Sequence, residues 1–174
     1  GDVIVVCPTA PPAIPGFSTQ FDEATIQAVS GKTVTLVAPL LFAHPAVTVA
    51  PGVVMTAEIL NLEQSVCLAG EVGHRIHLMM MSGQPQVMRN FCVEHFGPRQ
   101  DNGLGETAFV LGRYGWHEHE MGEAARGSLV ENAVFSRGGS HAIVPHTSHG
   151  LTTRNCVTYD TLEEPYWWDR QNDP

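Results

Sequence analysis

Apolar residues in this chain form short, β-branched runs that are bounded by glycine, proline, asparagine or serine. No window has the period of an amphipathic helix, so the pattern predicts strands joined by turns. The run Asp2–Cys7 predicts a buried strand, and Ser30-Gly31 between two apolar runs predicts a hairpin. From Val53 onward, short strands alternate with turns. The chain is therefore predicted to be all-β.

A repeat organises the second part of the chain. The fragments RNFCVEHFG, ENAVFSRGG and RNCVTYDT each place an asparagine before a short apolar run. These asparagines, Asn90, Asn132 and Asn155, are separated by 42 and 23 residues, and FVLGRYGWHEHE fills the longer interval without an asparagine. A repeat of this length with one strand per coil is typical of a solenoid, and a repeated asparagine can stack into a hydrogen-bonded ladder.

These patterns predict a β-solenoid that occupies residues 1–174 as a single domain, and the family resemblance given below implies that it is a right-handed parallel β-helix. Residues 1–52 are predicted to form its irregular, hairpin-containing N-terminal end, and residues 53–174 its coils. The three asparagine side chains should then lie in line along the solenoid axis. Open coil ends expose unpaired strand edges, so a homo-oligomer formed through these ends is a further expectation.

Candidate chemistry concentrates in Gly112–Glu120, which reads GRYGWHEHE. Alternate residues of a strand share a face, so His117 and His119 are predicted to point one way and Trp116 the other. His146 follows His119 by 27 residues, and coils about 4.8 Å apart would let the three imidazoles meet at one ion. The sequence predicts a divalent transition metal here, with Zn, Cu, Fe and Ni all compatible with imidazole ligands. Surface histidines in a polar strand are the alternative.

The C-terminal segment Glu163–Asp169, EEPYWWD, places aromatic rings beside carboxylates. Such rings either hold a sugar or cap the open end of the solenoid core, and both interpretations stay open. Glu164 or Asp169 would supply a carboxylate ligand or a general acid/base. Without a metal, the same cluster could still transfer protons on a glycosidic or uronic-acid substrate. His141 and His149 flank the third predicted ligand and are expected to be solvated turn residues.

The net charge limits the classes of partner that the chain is expected to bind, and the cysteines are candidates for a disulfide. A net charge of −9 with Lys32 as the only lysine argues against nucleic acid and anionic membranes, because both require a positive surface. It also counts against a strongly anionic polysaccharide unless the arginines gather locally. No apolar run is long enough to cross a membrane, and the chain opens at Gly1 without a signal peptide, as expected of a processed product or a fragment. Cys92 and Cys156 are favoured as buried thiols, while a disulfide stays open.

Several of these motifs resemble the glycine-eight-domain and right-handed β-helix family, which includes a cell-migration-inducing hyaluronan-degrading protein and its transmembrane relative. GDVIVV at 1–6 is similar to a strand of that family, GRYGWHEH at 112–119 resembles its GxYPxHFH motif, and SHAIVPHTSHGL at 140–151 is similar to its SRxVTVHGSNGL segment. In two departures, Gly115 replaces the proline of the motif and Glu164 stands where the family has a histidine. The resemblance places His95, His117, His119 and His146 at family histidine positions, with Asp169 near its acidic position.

The resemblance implies a secreted, extracellular or cell-surface protein that cleaves a polysaccharide at a histidine-rich metal site on the side of the β-helix. The alternatives are a non-catalytic carbohydrate-binding or adhesion module, and a structural β-helix fragment of a longer architecture. The predicted roles are metal binding by His117, His119 and His146, catalysis by Glu164, Asp169 and His95, and contact with a polysaccharide or oligosaccharide by Trp116, Tyr166, Trp167 and Trp168.

Overall fold

The computed structural model describes residues 1–9, 15–71, 73–101, 103 and 107–168. Within these residues the chain is all-β apart from two single-turn 3₁₀ helices, Phe17–Thr19 and Glu123–Ala125, which confirms the predicted class. It divides into two compact units, Gly1–Glu63 and Gln64–Pro174. None of the helices in the described ranges is long and apolar enough to span a membrane.

The first unit consists of antiparallel strands. Four of them form a sheet in the order β3-β2-β1-β6, and β4 pairs with β5 in a separate hairpin. The predicted turn at Ser30-Gly31 joins β2 to β3, with Gly31 in the left-handed region at a φ of 59°. The strands are β1 (Val3–Val6), β2 (Asp22–Ser30), β3 (Thr33–Leu36), β4 (Val47–Ala50), β5 (Val53–Met55) and β6 (Ile59–Asn61).

A buried carboxylate anchors a loop within this first unit. Asp22 accepts hydrogen bonds from the backbone N–H groups of Leu41 (2.7 Å) and Phe42 (3.0 Å), and its second contact is Nε2 of His44 at 2.9 Å. His44 Nδ1 lies 2.9 Å from the carbonyl oxygen of Cys7. Burial acts to raise the pKa of Asp22, but the hydrogen bonds outweigh it and hold the pKa below its ordinary value.

The second unit contains two small parallel sheets and one antiparallel hairpin. One sheet has three strands in the order β14-β12-β8; the other has five, in which β7, β9 and β13 are neighbours and β13 also pairs with β15 and β16. The hairpin is formed by β10 and β11. The strands are β7 (Cys67–Ala69), β8 (Met79–Met80), β9 (Val87–Glu94), β10 (Arg99–Asp101), β11 (Thr107–Phe109), β12 (Trp116–Gly122), β13 (Leu129–Gly138), β14 (Ile143–Ser148), β15 (Thr152–Arg154) and β16 (Val157–Thr161).

Parallel pairing begins later than predicted. Strands β5 and β6 were expected among the coils that start at residue 53, yet β5 pairs antiparallel with β4, and β6 antiparallel with β1. Among the described residues, the first strand with a parallel neighbour is β7. Residues 53–63 therefore belong to the first compact unit, because their backbone groups bond to strands near the N-terminus.

The three repeat asparagines bend the chain at equivalent points. Asn90, Asn132 and Asn155 have φ values of 56°, 52° and 51°, a left-handed conformation that asparagine tolerates better than most residues. The Nδ2 of Asn132 donates to Oδ1 of Asn90 at 2.9 Å, and the Nδ2 of Asn155 donates to Oδ1 of Asn132 at 2.8 Å. The predicted asparagine ladder is confirmed.

Two further sets of bends lie at equivalent positions in neighbouring parallel strands. His95, Arg137 and Asp160, each five positions after a ladder asparagine, have φ values of 50°, 54° and 52°. In the other parallel sheet, Glu120 and Thr147 have φ values of 52° and 46° directly after the pair His119–His146, where the register between β12 and β14 shifts. Bends with a left-handed backbone therefore recur at matching positions in neighbouring parallel strands.

A hydrophobic core combines residues from both parallel sheets. Phe135 of β13 meets Phe91 of β9 edge to face, with ring centroids 5.9 Å apart, and it meets Phe96 in the same way at 6.0 Å. A disulfide joins Cys67 of β7 to Cys92 of β9 where the two strands face each other. The sequence favoured a buried thiol at Cys92. That prediction is wrong, because the register between β7 and β9 sets Cys67 directly beside it.

The asparagine ladder gives a test of the repeat. Asn132→Ala is expected to lower the free energy of unfolding by about 1–3 kcal/mol, because it removes two side-chain hydrogen bonds and places an alanine in a left-handed conformation. Asn132→Gly removes the same bonds but tolerates the φ angle, so it should lose less. Urea unfolding of the two variants separates the contributions. A wild-type midpoint for Asn132→Ala would show that the ladder does not stabilise the repeat.

Candidate metal centre

Strand β12 sorts its side chains as predicted, with His117 and His119 on one face. Strand β14 runs parallel to β12, and its register sets His146 directly opposite His119 and Val144 opposite His117. The three histidines line one cavity of about 450 Å³. Parallel pairing of successive repeats therefore brings together residues 27 positions apart, as their spacing in the sequence indicated.

The three imidazoles are close enough to share one ion. One nitrogen from each ring can be chosen so that all three atoms lie within 4.8 Å of one another. The Nδ1 atoms of His119 and His146 are 2.9 Å apart. Two nitrogens bound to one zinc ion at about 2.0–2.1 Å are separated by at most about 4.2 Å, so a small side-chain rotation brings all three within bonding distance. The group could therefore hold a metal ion.

His117 is poised as a ligand. Its side chain is only 1% exposed, and its Nδ1 lies 3.0 Å from the carbonyl oxygen of Gly112. Because a carbonyl only accepts, Nδ1 carries the hydrogen and Nε2 keeps a lone pair. That buried Nε2 has no hydrogen-bond partner in the described part of the chain. A ring that donates one nitrogen to a carbonyl and offers the other is the usual arrangement of a metal-binding histidine.

The same surroundings keep His117 neutral. Burial lowers its pKa to about 4, and the nearby charges of His119, His146 and Arg113 act in the same direction, while the hydrogen bond to Gly112 opposes them. At neutral pH the imidazole therefore presents its lone pair without first losing a proton. Metal binding requires this neutral form of histidine.

The loop before β12 fits this geometry closely. Gly112 has a φ of 78°, a left-handed conformation that suits glycine, and its carbonyl points at the first ligand ring. A Cβ on Gly115 would lie 2.7 Å from the carbonyl oxygen of Ala142, so no side chain fits there. The ring of Tyr114 packs against His117 with centroids 4.8 Å apart. The glycine that departs from the family motif is thus required by close backbone packing.

Two side chains of β12 face the core instead of the cavity. Trp116 is 1% exposed and belongs to the hydrophobic core, so its predicted role in substrate binding is wrong. Glu118 is fully buried, and neither carboxyl oxygen makes a hydrogen bond of normal geometry within the described residues. Burial raises the pKa of Glu118, and the nearby Ser128 hydroxyl and Trp116 indole oppose that rise only in part.

The predicted catalytic residues are not gathered at the histidines. The carboxylate of Glu164 is 69% exposed, lies 3.8 Å from Nδ1 of His141, and does not line the cavity. His95 follows β9, a strand of the other parallel sheet, and is absent from the cavity wall. The resemblance placed His95 with the other histidines, and the aromatic C-terminal segment suggested Glu164. Neither signal determines which sheet or cavity a side chain joins. Asp169 lies outside the described residues.

Of the predicted sugar-binding aromatic residues at the C-terminus, one reaches the cavity. Trp167 lines it, whereas Tyr166 and Trp168 do not and are 38% and 54% exposed. Successive residues of an extended segment point in opposite directions, so neighbouring rings cannot share one wall.

His141 was expected in a solvated turn and is instead buried, with 2% exposure. Its ring stacks on Trp167 with centroids 4.7 Å apart, and its Nδ1 donates to the carbonyl oxygen of Glu164 at 2.8 Å. It also contacts Tyr114, with ring centroids 5.4 Å apart. The apolar run that follows His141 in the sequence was the signal that could have indicated its burial.

Comparison with known proteins adds no relative. No family model, no curated protein and no solved structure matches the chain. The chemistry of the site therefore rests on its own geometry, and on that basis it is a candidate centre for a metal held by three histidines.

Proposed function

We propose that His117, His119 and His146 bind one divalent transition metal, and that the loaded cavity is the active site of a secreted enzyme that cleaves a polysaccharide. The observation that carries the metal is the buried Nε2 of His117. It has no hydrogen-bond partner among the described residues, and its ring packs against the rings of His119 and His146. A buried polar atom without a partner is unfavourable, and a bound ion would satisfy it.

The donor set limits the choice of ion. Three neutral imidazoles favour Zn, Cu, Fe or Ni over Mg or Ca, which prefer oxygen ligands. Held by His117, His119 and His146, such an ion would supply Lewis-acid chemistry: activation of a water molecule or polarisation of a substrate oxygen. The protein supplies the rest: the backbone carbonyl of Gly112 accepts a hydrogen bond from Nδ1–H of His117 and so fixes its tautomer, and the Tyr114 ring packs against the imidazole and holds its orientation.

Carbohydrate as the substrate is supported by the cavity and by the family resemblance. The volume of about 450 Å³ lies within the range of small-ligand sites. Trp167 offers an aromatic surface on the wall, and its stacking on His141 orients the ring. The Cys67–Cys92 disulfide supports an extracellular or cell-surface location, because disulfides persist mainly in oxidising compartments.

The fold that accompanies this proposal is a short right-handed parallel β-helix in the second unit. Its support is the parallel pairing of strands one or two repeats apart, the asparagine ladder, and the recurring left-handed bends. Open ends of such a coil would offer edges for a homo-oligomer. The net charge of −9 supports the further proposal that neither nucleic acid nor an anionic membrane is a partner.

Metal titration tests the central proposal. Protein stripped with a chelator should bind one Zn²⁺ or Co²⁺ per chain in isothermal titration calorimetry. The cobalt form should show visible absorption typical of nitrogen ligation, and reducing-end release from a polysaccharide panel should depend on the metal. Absence of saturable binding by Zn, Co, Cu, Fe and Ni would refute the metal centre. Stoichiometric binding without cleavage of any polysaccharide would refute the enzymatic part alone.

A carbohydrate-binding module is the second candidate. The exposed rings of Tyr166 and Trp168 lie outside the cavity and favour it. Such a module should bind glycans equally well with and without metal, and Trp168→Ala should weaken that binding while metal uptake is unchanged.

A further inference from the structure

Arg113 is on the wall of the metal cavity, and we infer that it makes this cavity a binding site for the carboxylate group of an organic ligand. The inference rests on the proposed metal centre and adds the chemical class of what enters it. Arg113 carries the one permanent charge that the described residues contribute to the cavity wall, and the inference gives this charge a function.

Among the arginines that the structure describes, Arg113 differs from the others in its hydrogen bonding. In the described ranges its guanidinium makes neither a hydrogen bond nor an ion pair, although this group carries five donors. Every other described arginine is engaged: Arg75 with the carbonyl oxygen of Phe96, Arg89 and Arg154 with Glu131, Arg99 with Glu163, Arg126 with Glu123, and Arg137 with Glu94. An unpaired guanidinium on a cavity wall leaves its donors available to a ligand.

The electrostatics of the cavity favour an anion. No aspartate or glutamate among the described residues lines it, even though the chain carries a net charge of −9. Arg113 and the three histidines line the same cavity, so its charge acts on the space in which the ion would be bound. A divalent ion bound there would add two more positive charges without a side-chain counterion. A ligand with a negative group would therefore be attracted to both.

The other residues that line the cavity favour an organic carboxylate over an inorganic anion. Leu111, Val144 and Met79 give the wall apolar surface, and the Trp167 ring adds an aromatic face. Such surface stabilises the carbon skeleton of a ligand, whereas an inorganic anion gains nothing from it. The planar guanidinium matches a carboxylate with two parallel hydrogen bonds. Together these features fit a carboxylate carried on an apolar or sugar-like body.

Two forms of the protein test the inference separately from the metal. In the cobalt-loaded protein, acetate at constant ionic strength should perturb the visible spectrum saturably, while neutral acetamide should not. In the metal-free protein, benzoate should shift the Arg113 Nε–H resonance in ¹H–¹⁵N spectra, and benzamide should not. Arg113→Gln should weaken acetate binding by at least about tenfold, the size expected for losing a charge-assisted hydrogen bond. Its cobalt affinity should change less than threefold.

Arg89→Gln is the matched control, because Arg89 pairs with Glu131 on the other parallel sheet and does not line the cavity. It should bind acetate as the wild type does. Equal acetate affinity in Arg113→Gln and wild type would overturn the inference, as would equal responses to benzoate and benzamide. A chain that takes no cobalt but whose metal-free form still distinguishes benzoate from benzamide at Arg113 would refute the metal centre and leave the carboxylate site standing.

Discussion

His119→Ala is expected to weaken metal binding by more than about 100-fold, because loss of a ligand should cost more than the 10–100-fold typical of losing an outer-shell partner. His119 and His146 face each other across β12 and β14 with their Nδ1 atoms 2.9 Å apart, so removing either ring leaves two donors. His146→Ala should therefore give a loss of similar size. Calorimetric titration with Zn²⁺ and the absorption of the cobalt form measure both.

His149→Ala is the matched control for these variants. His149 is only partly exposed, but it lies outside the group of three and does not line the cavity. It should bind metal with wild-type affinity. His141→Ala is unsuitable as a control, because this buried ring supports Trp167 and Tyr114. Wild-type metal affinity in His119→Ala would exclude this group as the binding site.

The group of three histidines could be predicted because two simple periodicities determine it. The two-residue alternation of a strand set His117 and His119 on one face, and the 27-residue interval to His146 matched one return of the chain. The alternation of side chains does not show which face of the strand is buried in the core. Trp116 was assigned to a substrate, yet its face packs into the core. The histidine face is also enclosed, with His117 only 1% exposed.

For a related reason, the sequence did not predict that Arg113 lines the cavity or that His141 is buried. The surroundings of these two residues depend on where the loop before β12 and the C-terminal segment meet. Neither segment has a sequence periodicity from which its conformation could be predicted. Arg113 reaches the cavity because the left-handed Gly112 turns the loop at that point. His141 is covered by Trp167, which comes from a segment more than twenty positions away.

The repeat itself was predictable where a side chain carries the signal. Asn90, Asn132 and Asn155 were visible in the sequence because the same amide recurs at each bend. The bends at His95, Arg137 and Asp160 share a backbone conformation but no common residue type, so the sequence hides them. The cysteine pairing was hidden as well. It depends on the register between β7 and β9, which no local pattern specifies.

Because His117 is buried, substituting it is expected to change the stability of the folded protein. An imidazole on the surface of a strand contributes little to folding, but this ring is buried between Tyr114, His119 and the backbone of Gly112. Its protonation is therefore coupled to folding. The pKa is about 4 in the folded chain, against about 6.5 for an exposed histidine in the unfolded chain.

The metal-free protein is consequently expected to lose stability as the pH falls below neutrality. The unfolded state takes up a proton on His117 more readily than the folded state, so the stabilising contribution is complete above about pH 6.5 and is lost as the pH falls through 4. A pKa difference of about 2.5 corresponds to roughly 3 kcal/mol. Urea unfolding between pH 7 and pH 4 measures the change.

His117→Asn isolates this contribution from those of other titrating groups. Its amide can still donate to the Gly112 carbonyl, but it does not titrate in this range. The free energy of unfolding should therefore fall less steeply with decreasing pH in the variant than in the wild type, by up to about 3 kcal/mol at pH 4. Saturating Zn²⁺ should steepen the fall for the wild type alone, since metal stabilises the folded state at pH 7 and is displaced by protons in acid. Identical pH profiles for the two metal-free proteins would show that burial of this imidazole carries no cost on protonation.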